Sequence, residues 1–175
     1  VDISKILQMN DVLYFQSSFN RPNLYYEVRN KNKSKLADDI AKFINEDYVN
    51  KSGIIYCLTK KECETLAYKL KKKKKILWEY FHAGLSAEKR KGIQRKWMNN
   101  EFRIIVATVA FGMGINKKDV RFIIHTGFPK TMEAYSQEWG RAGRDSKDST
   151  CVLFYSYSDR KMLDFFIMNP TTTSS

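Results

Sequence analysis

Cysteine and histidine are scarce in this 175-residue chain, which contains three cysteines and two histidines. Structural zinc requires four closely spaced Cys or His ligands, and His82 and His125 lie far apart in the sequence. No C-x-x-C pair is present, and an odd number of cysteines leaves one unpaired under any disulfide scheme. We therefore expect no bound metal and a reducing compartment.

Long hydrophobic runs are also lacking. The longest apolar stretch, Ile104 to Ile115, is interrupted by Thr108, Gly112 and Gly114. It falls short of the ~18 to 20 apolar residues that a membrane-spanning helix requires. No signal peptide is recognisable in the sequence. These absences predict a soluble domain that does not cross a membrane.

Acidic residues are outnumbered, because 19 Asp and Glu face 31 Lys and Arg and leave a net charge of +12. Such a charge attracts DNA, RNA and anionic lipid alike, so charge alone does not identify the partner. Eight lysines lie between residues 60 and 75, but no aromatic residue interrupts the run from Lys71 to Lys75. A solvated helix face explains that run better than a base-stacking platform does.

Hydrophobic residues make up 43% of the chain, which is ordinary for a globular protein and predicts one sizeable core. Short apolar runs typical of buried parallel strands alternate with stripes typical of amphipathic helices. The runs are Ile54 to Leu58, Ile104 to Thr108, Phe122 to His125 and Cys151 to Tyr155; the stripes are Leu36, Ile40, Phe43 and Ile44, and then Cys63, Leu66, Ala67 and Leu70. This alternation predicts an α/β fold, a mostly parallel sheet with helices on both faces and binding loops at the carboxyl ends of its strands.

A helix start is predicted directly after the first of these runs, because Thr59 and Glu62 form an S/T-x-x-E capping box. The unpaired backbone N–H groups at a helix start can bind phosphate. Capping boxes also open many helices that bind nothing. Both interpretations stay open at this point.

The most informative stretch is YSQEWGRAGRD, at positions 135–145. On a continuous helix its residues and those just before it fall on two opposite faces. One face presents Gln137, Arg141 and Arg144, and the other, expected to pack on the core, has Met132, Tyr135 and Trp139. The planar, permanently charged arginine group suits phosphate oxygens. Solvated surface salt bridges are the alternative explanation for the two arginines.

Common nucleotide-binding fingerprints are missing. Gly112 and Gly114 begin a G-x-G pattern, but the third glycine of a dinucleotide fingerprint would fall at Lys117. The sequence has no G-x-x-x-x-G-K-[ST] loop and no paired acidic motif for Mg²⁺. The chain is therefore not expected to hold Mg-ATP without a second domain.

Five blocks, in order along the chain, resemble the second RecA-like domain of RecQ-family DNA helicases of superfamily 2. They are SFNRPNLYYEV (18–28), SGIIYCLTKKECE (52–64), FHAGLS (81–86), VATVAFGMGINKKDVRFIIH (106–125) and QEWGRAGRD (137–145). The second, fourth and fifth blocks look like helicase motifs IV, V and VI. Related RNA helicases carry similar arginines, so an RNA helicase is the alternative enzyme.

This resemblance implies nucleotide-related roles in motifs V and VI. Arg144 matches the arginine finger that reaches ATP held by the first RecA-like domain, and Arg141 matches its companion. Gln137 matches the residue that faces the acidic motif of that domain. Gly112, Gly114 and Asn116 match the nucleotide-facing part of motif V, where Asn116 approaches the ribose.

Thr59, Lys60, His82 and Thr108 match positions that line the family's single-stranded DNA track. The resemblance also implies that ATP and Mg²⁺ are bound mainly by a first RecA-like domain of the same protein. It implies ATP-dependent 3′–5′ DNA unwinding in repair, recombination or replication, in the nucleus or in a bacterial cytoplasm. A non-catalytic nucleic-acid-binding module that lost its ATPase partner is a further alternative.

By the same resemblance, residues 1–11 are the end of the first RecA-like domain or a linker. Residues 12–157 are the second RecA-like domain, 158–170 are a helix that leads to a further subdomain, and 171–175 are a disordered tail. Three residues depart from the family pattern. Trp139 is larger than usual, Ser136 replaces an aromatic residue, and Ser146 stands where glycine is common.

Overall fold

A computed structural model describes residues 20–72, 78–112 and 115–159. In this part of the chain there are six strands and four helices of at least eight residues, and a helix separates each strand from the next except between the fourth and fifth strands. The strands are β1 (Leu24–Asn30), β2 (Ser52–Tyr56), β3 (Trp78–Phe81), β4 (Ile104–Ala107), β5 (Val120–His125) and β6 (Ser149–Tyr155). The helices are α1 (Leu36–Asp47), α2 (Lys60–Lys71), α3 (Ala87–Met98) and α4 (Met132–Trp139).

The strands form one sheet in the order β1-β6-β5-β2-β4-β3, and every neighbouring pair is parallel. Strands β1 and β3 are the two edges of this sheet. Parallel pairing brings the carboxyl ends of all strands to one edge, where loops can converge on a ligand. The predicted α/β fold with a mostly parallel sheet is confirmed.

The helices cover both faces of the sheet because side chains alternate along each strand. On one face α1 and α2 pack against Ile55 and Ile124. On the other face Trp97 of α3 packs against Ile54 and Ile123. Both predicted apolar helix stripes are buried in the first of these layers. No helix within the described ranges has the length and apolarity needed to cross a bilayer.

The four predicted strands are present with shifted boundaries. The predicted ends Leu58 and Thr108 lie in the loops beyond β2 and β4, and β5 and β6 each begin two residues earlier than expected. The predicted segments 1–11 and 171–175, and all of the helix predicted over 158–170 except residues 158 and 159, lie outside the described residues.

Three helices begin at a capped residue shortly after a strand ends. The side-chain oxygens of Thr59, Ser86 and Thr131 accept hydrogen bonds from the N–H groups of Glu62, Lys89 and Ala134, at 3.1, 3.2 and 3.1 Å. A cap of this kind stabilises a helix by about 1 kcal/mol. These caps fix where α2, α3 and α4 start relative to the carboxyl edge of the sheet.

The predicted capping box at Thr59 is confirmed in one of its two hydrogen bonds. The Glu62 carboxylate accepts from the Leu58 N–H at 3.1 Å instead of from the N–H of Thr59. Its other oxygen accepts from the Thr126 hydroxyl at 2.9 Å. Glu62 therefore ties the end of β2 to the end of β5, as well as capping α2.

Candidate functional site

Helix α4 ends at Trp139, so Arg141 and Arg144 are not helical residues. Residues 140–146 continue as tight turns, and Gly143 has a φ of +54°, in the left-handed region that favours glycine. The prediction of one continuous helical stripe through Gln137, Arg141 and Arg144 is therefore wrong.

The packing of α4 also differs from expectation. Met132, expected on the core, is 61% exposed. Tyr135 is half-buried and contacts the His125 ring, with 4.9 Å between ring centroids. The buried residue of this helix is Glu138, whose carboxylate needs a partner away from water.

Arg141 is fixed by the backbone of the turn that follows β4. Its Nη1 donates to the carbonyl oxygen of Gly112 at 2.5 Å. The guanidinium covers Gly112 so closely that any side chain there would collide with it. The Nε of Arg141 is buried and has no hydrogen-bond partner among the described residues. A buried donor without a partner costs free energy, so this position of Arg141 is maintained by its other contacts.

Arg144 contacts the same segment from an exposed position. Its Nη1 donates to the carbonyl oxygen of Ile115 at 3.0 Å and to Asn116 Oδ1 at 3.2 Å. Its Nε donates to the carbonyl oxygen of Gly140 at 3.4 Å. All of these acceptors are uncharged, so they hold the guanidinium without neutralising it.

The structure thus brings together four of the residues singled out for the nucleotide: Gly112, Asn116, Arg141 and Arg144. Gly114 lies outside the described residues. Gln137 is exposed on α4 and does not share in the hydrogen bonds that join the two arginines to motif V. In the described part of the chain, no carboxylate forms an ion pair with Arg141 or Arg144.

The turn that carries the arginines is held from a distant part of the sequence. Arg21 Nη2 donates to the carbonyl oxygens of Ala142 and Gly143, both at 2.8 Å. Asn23 Nδ2 donates to Gly143 O at 3.0 Å. A guanidinium that binds two adjacent carbonyls restricts the turn at its centre. Sequence reasoning missed both residues, because the block at 18–28 carries no periodicity that points to residues 142 and 143.

A buried polar group lies beneath this turn. His125 Nε2 lies 2.8 Å from Glu138 Oε2, and the His125 ring stacks on Tyr56 with 5.3 Å between centroids. The Tyr56 hydroxyl donates to the carbonyl oxygen of Phe111 at 3.0 Å. Burial raises the pKa of Tyr56 well above its ordinary value, against the opposing influence of Arg141. The phenol therefore keeps its proton and supports the turn next to Gly112.

The four residues matched to the DNA track lie at the carboxyl edge of the sheet, but they differ in exposure. Thr59 and Lys60 are exposed at the start of α2. His82 and Thr108 follow the adjacent strands β3 and β4 and are only 4% and 8% exposed. His82 Nδ1 accepts from the Gly84 N–H at 3.1 Å. The exposed pair is accessible to a ligand, and the buried pair shapes the loops beneath.

Several known proteins resemble this chain in sequence or in fold. Residues 34–146 match the model of the helicase conserved C-terminal domain. The chain belongs to this family. The chain is 47% identical over 96% of its length to the ATP-dependent DNA helicase hus2/rqh1 of Schizosaccharomyces pombe, and covers 12% of that protein. It is 48% identical over 90% of its length to the RecQ-like DNA helicase BLM of Xenopus laevis, again covering 12%. The resemblance to RecQ-family DNA helicases is confirmed.

Two further similarities concern a protein named as an RNA helicase and a structure bound to RNA. A putative ATP-dependent RNA helicase of Acanthamoeba polyphaga mimivirus is 51% identical over 90% of the chain, which covers 28% of that protein. The structure of S. cerevisiae Dbp5 bound to RNA and ADP BeF3 superposes with a TM-score of 0.74 at 18% identity, over 98% of this chain and 46% of that chain. At this identity the superposition establishes the shared fold. The helicase domain spans less than a third of the length of these three relatives.

The helicase domain also contains a charged cluster that no motif pointed to. Lys31 Nζ, just after β1, lies 3.4 Å from Asp159 and 3.9 Å from Glu62. Its side chain and that of Asp159 are both 6% exposed. Lysine and aspartate are rarely buried unless paired, so each of these two side chains depends on the other for its burial beside the ends of β1 and β6. Within the described ranges, no three His, Cys, Asp or Glu side chains are placed to hold a metal.

Proposed function

We propose that this chain is the second RecA-like domain of an ATP-dependent 3′–5′ DNA helicase of the RecQ type, in which Arg144 acts as the arginine finger. One observation carries the proposal: Arg141 and Arg144 are held by uncharged oxygens of motif V, without a carboxylate partner among the described residues. Their charge is thus available to an anion, whereas surface salt bridges would have consumed it. ATP and Mg²⁺ would be bound mainly by the first RecA-like domain.

Arg141 and Arg144 would have different roles, because one is anchored on the backbone and the other is exposed. Arg141 is anchored on Gly112 through Nη1, so the orientation of its guanidinium is fixed by the backbone of motif V. Arg144 is exposed and can reach across a domain cleft. A guanidinium that meets the transferring phosphoryl group only when the cleft closes stabilises the transition state more than the ground state. An arginine finger of this kind is worth about 10³ to 10⁵ in rate.

The carboxyl edge would form half of a track for single-stranded DNA. Thr59 and Lys60 are exposed there, beside the backbone N–H groups at the start of α2. A domain with a net charge of +12 that supplies half of a track relies mostly on phosphate contacts. Its DNA affinity alone should therefore be weak and should fall steeply as salt is raised.

The test is the DNA-stimulated ATPase activity of the full-length protein. Arg144→Ala should reduce turnover by about 10³-fold or more while ATP and DNA affinities stay close to wild type. Arg141→Ala should share the defect, and the double variant should be less than additive because the two groups act on one phosphate. Arg95→Ala, which removes an exposed arginine from α3, is the charge-matched control and should be nearly silent. Normal turnover in Arg144→Ala would end the arginine-finger assignment.

The isolated chain should neither hydrolyse Mg-ATP nor bind it tightly, because its sequence has no phosphate-binding loop and no paired acidic motif. Calorimetric titration with Mg-ATP should be nearly flat. Micromolar affinity would overturn the proposal of a site divided between two domains.

RNA unwinding is the second candidate function, favoured by the 51% identity to a protein named as an RNA helicase. The same full-length preparation distinguishes the two. ATPase stimulation by single-stranded DNA that exceeds stimulation by RNA of the same sequence and length supports the proposal, and the reverse order supports an RNA helicase.

A further inference from the structure

A groove of about 500 Å³ runs between α2 and the edge strand β3. Its lining combines aromatic rings with charged groups: Tyr68, Trp78, Tyr80, Lys71, Glu64 and Glu79. Tyr68 is 62% exposed, and the rings of Trp78 and Tyr80 are half-buried. Positions two apart on a strand share one face, so Trp78 and Tyr80 form a continuous aromatic floor beside Tyr68.

Three lysines lie in or beside this groove, Lys71 in its lining and Lys72 and Lys89 near its rings. The two helices that flank β3, α2 and α3, contain nine Lys and Arg and only three Glu. Lys72 Nζ lies 4.7 Å from the centroid of the Tyr68 ring, and Lys89 Nζ lies 5.5 Å from that of Tyr80. Such exposed cation–π contacts are weak, so a lysine can leave its ring and turn to a phosphate.

The groove is continuous with the carboxyl edge of the sheet. The Tyr80 ring stacks on the His82 ring, with 5.6 Å between centroids and 23° between planes. Glu64, which lines the groove, has a carboxylate oxygen 2.9 Å from His82 Nε2. This carboxylate therefore faces an imidazole, and Glu79 is the second acidic group of the lining. A single-stranded nucleic acid that follows the carboxyl edge of the sheet past His82 would next contact the aromatic floor.

We propose that this groove is a second contact for single-stranded nucleic acid, in which bases stack on Tyr68 and Tyr80 and phosphates contact Lys71, Lys72 and Lys89. The proposal rests on the proposed function in one respect, because the strand is taken to arrive from the carboxyl edge. Aromatic side chains accept any base by stacking, and lysines track the backbone without reading sequence. The groove would therefore extend the length of strand that one domain holds and would not select a sequence.

The test compares the affinities of the 175-residue chain for two oligonucleotides of equal charge. An oligo(dT) of about 16 nucleotides and an abasic oligonucleotide of the same length present the same phosphates, but only the first can stack. We expect fluorescence anisotropy to show tighter binding of oligo(dT) by about tenfold or more, a ratio that corresponds to one good stacking contact. Tyr68→Ala should abolish most of this ratio, and Tyr68→Phe, which keeps the ring, should retain it.

The matched control is Tyr25→Ala on the opposite edge strand β1, since Tyr25 is 66% exposed and Tyr68 is 62% exposed. It should leave the ratio unchanged. Circular dichroism verifies that each variant is folded.

Three outcomes would overturn the proposal, and they separate it from the proposed function. Equal effects of Tyr25→Ala and Tyr68→Ala would show that the groove has no special role. Loss of affinity in Lys60→Ala with an unchanged base-to-abasic ratio in Tyr68→Ala would leave the carboxyl-edge track standing and remove the groove. Self-association that Tyr68→Ala abolishes without any effect on DNA would assign the groove to a second copy of the chain.

Discussion

His125 Nε2 lies 2.8 Å from Glu138 Oε2, and the two side chains are only 1% and 7% exposed. This pair joins the end of β5 to the last turn of α4, directly before the turn that carries Arg141. Among the described residues, His125 Nδ1 has no hydrogen-bond partner. The hydrogen bond between Nε2 and Glu138 is therefore the one that the ring makes there. The position of the arginine turn thus depends on a buried contact between two motifs.

Removal of this contact should be strongly destabilising. Glu138→Ala leaves the buried imidazole without its partner and should lower the free energy of unfolding by about 2 to 4 kcal/mol. Glu138→Gln keeps the volume and one acceptor and should cost less. Glu133→Ala, at an exposed position in the first turn of the same helix, should cost under about 0.5 kcal/mol. Urea denaturation of the four proteins measures the differences, and similar losses for Glu138→Ala and Glu133→Ala would contradict the role of the pair.

Gly112 should not tolerate even one methyl group. An added Cβ would collide with the Arg141 guanidinium, so Gly112→Ala should displace that group and destabilise the domain by about 1 to 3 kcal/mol. Gly92→Ala is the matched control, because nothing lies within 4 Å of a Cβ at Gly92 in the interior of α3. The control should stabilise the domain by about 0.5 to 1 kcal/mol through helix propensity. Thermal unfolding of both variants measures these stability changes. An unchanged stability of Gly112→Ala would show that the Arg141 guanidinium moves aside at no cost.

Ser146 has a φ of +62°, a conformation that suits glycine better than serine. Ser146→Gly should therefore raise the free energy of unfolding, by up to about 1 kcal/mol after the extra entropy of the unfolded chain is subtracted. Ser136→Gly, an identical change inside α4, should have the opposite sign and cost about 0.5 kcal/mol. Chemical denaturation of the pair measures the two signs, and destabilisation by both changes would refute the backbone explanation.

The ion pair between Arg121 and Asp145 should make the free energy of unfolding depend on pH in the acidic range. Desolvation alone would raise the pKa of Asp145, but the hydrogen bond from Arg121 prevails and lowers that pKa below its ordinary value. A carboxylate with a lowered folded-state pKa stabilises the fold fully above the ordinary value of about 3.9, and this contribution is lost as pH falls through the folded-state pKa.

The difference in stability between wild type and Asp145→Asn should accordingly be constant from neutral pH down to about pH 5 and should shrink below about pH 4. Asp148→Asn, which removes the same charge from an exposed residue three positions on, controls for net charge. Urea midpoints over this pH range test the prediction. A gap for Asp145→Asn that persists at pH 3 would show that the pair does not titrate in this way.

The central strands were predictable because strands covered on both faces need continuous apolar runs. Ile104–Ala107 is buried at every position and was recognised on that basis. Strand β1 has one buried residue, Leu24, and is otherwise exposed or half-buried, and in β3 only Phe81 is buried, so neither carried that signal. Helix α3 was missed because only Ile93 and Trp97 of its twelve residues are buried.

The candidate site was predictable in composition but not in geometry. A helical wheel placed Arg141 and Arg144 on one stripe, whereas the glycine at position 143 has a positive φ and the chain leaves the helix at Trp139. The contacts that fix the arginines come from Gly112 and Ile115, about 30 residues earlier, and local periodicity contains no such pairing. Only the resemblance to a known family linked these segments before the structure did.

The pairing of β1 with β6 has a consequence for synthesis. Of the six described strands, β1 is synthesised first, and within their sheet it is paired with β6, which is synthesised last, with Leu24 opposite Ser149. At ordinary translation rates, β1 therefore waits roughly 6 to 25 s for its partner. During that interval the hydrogen-bonding groups of β1 are open on both sides, beside the apolar side chains of Tyr25 and Val28. The nascent chain is therefore vulnerable to aggregation at this edge, and a chaperone that covered β1 would act before the sheet is complete.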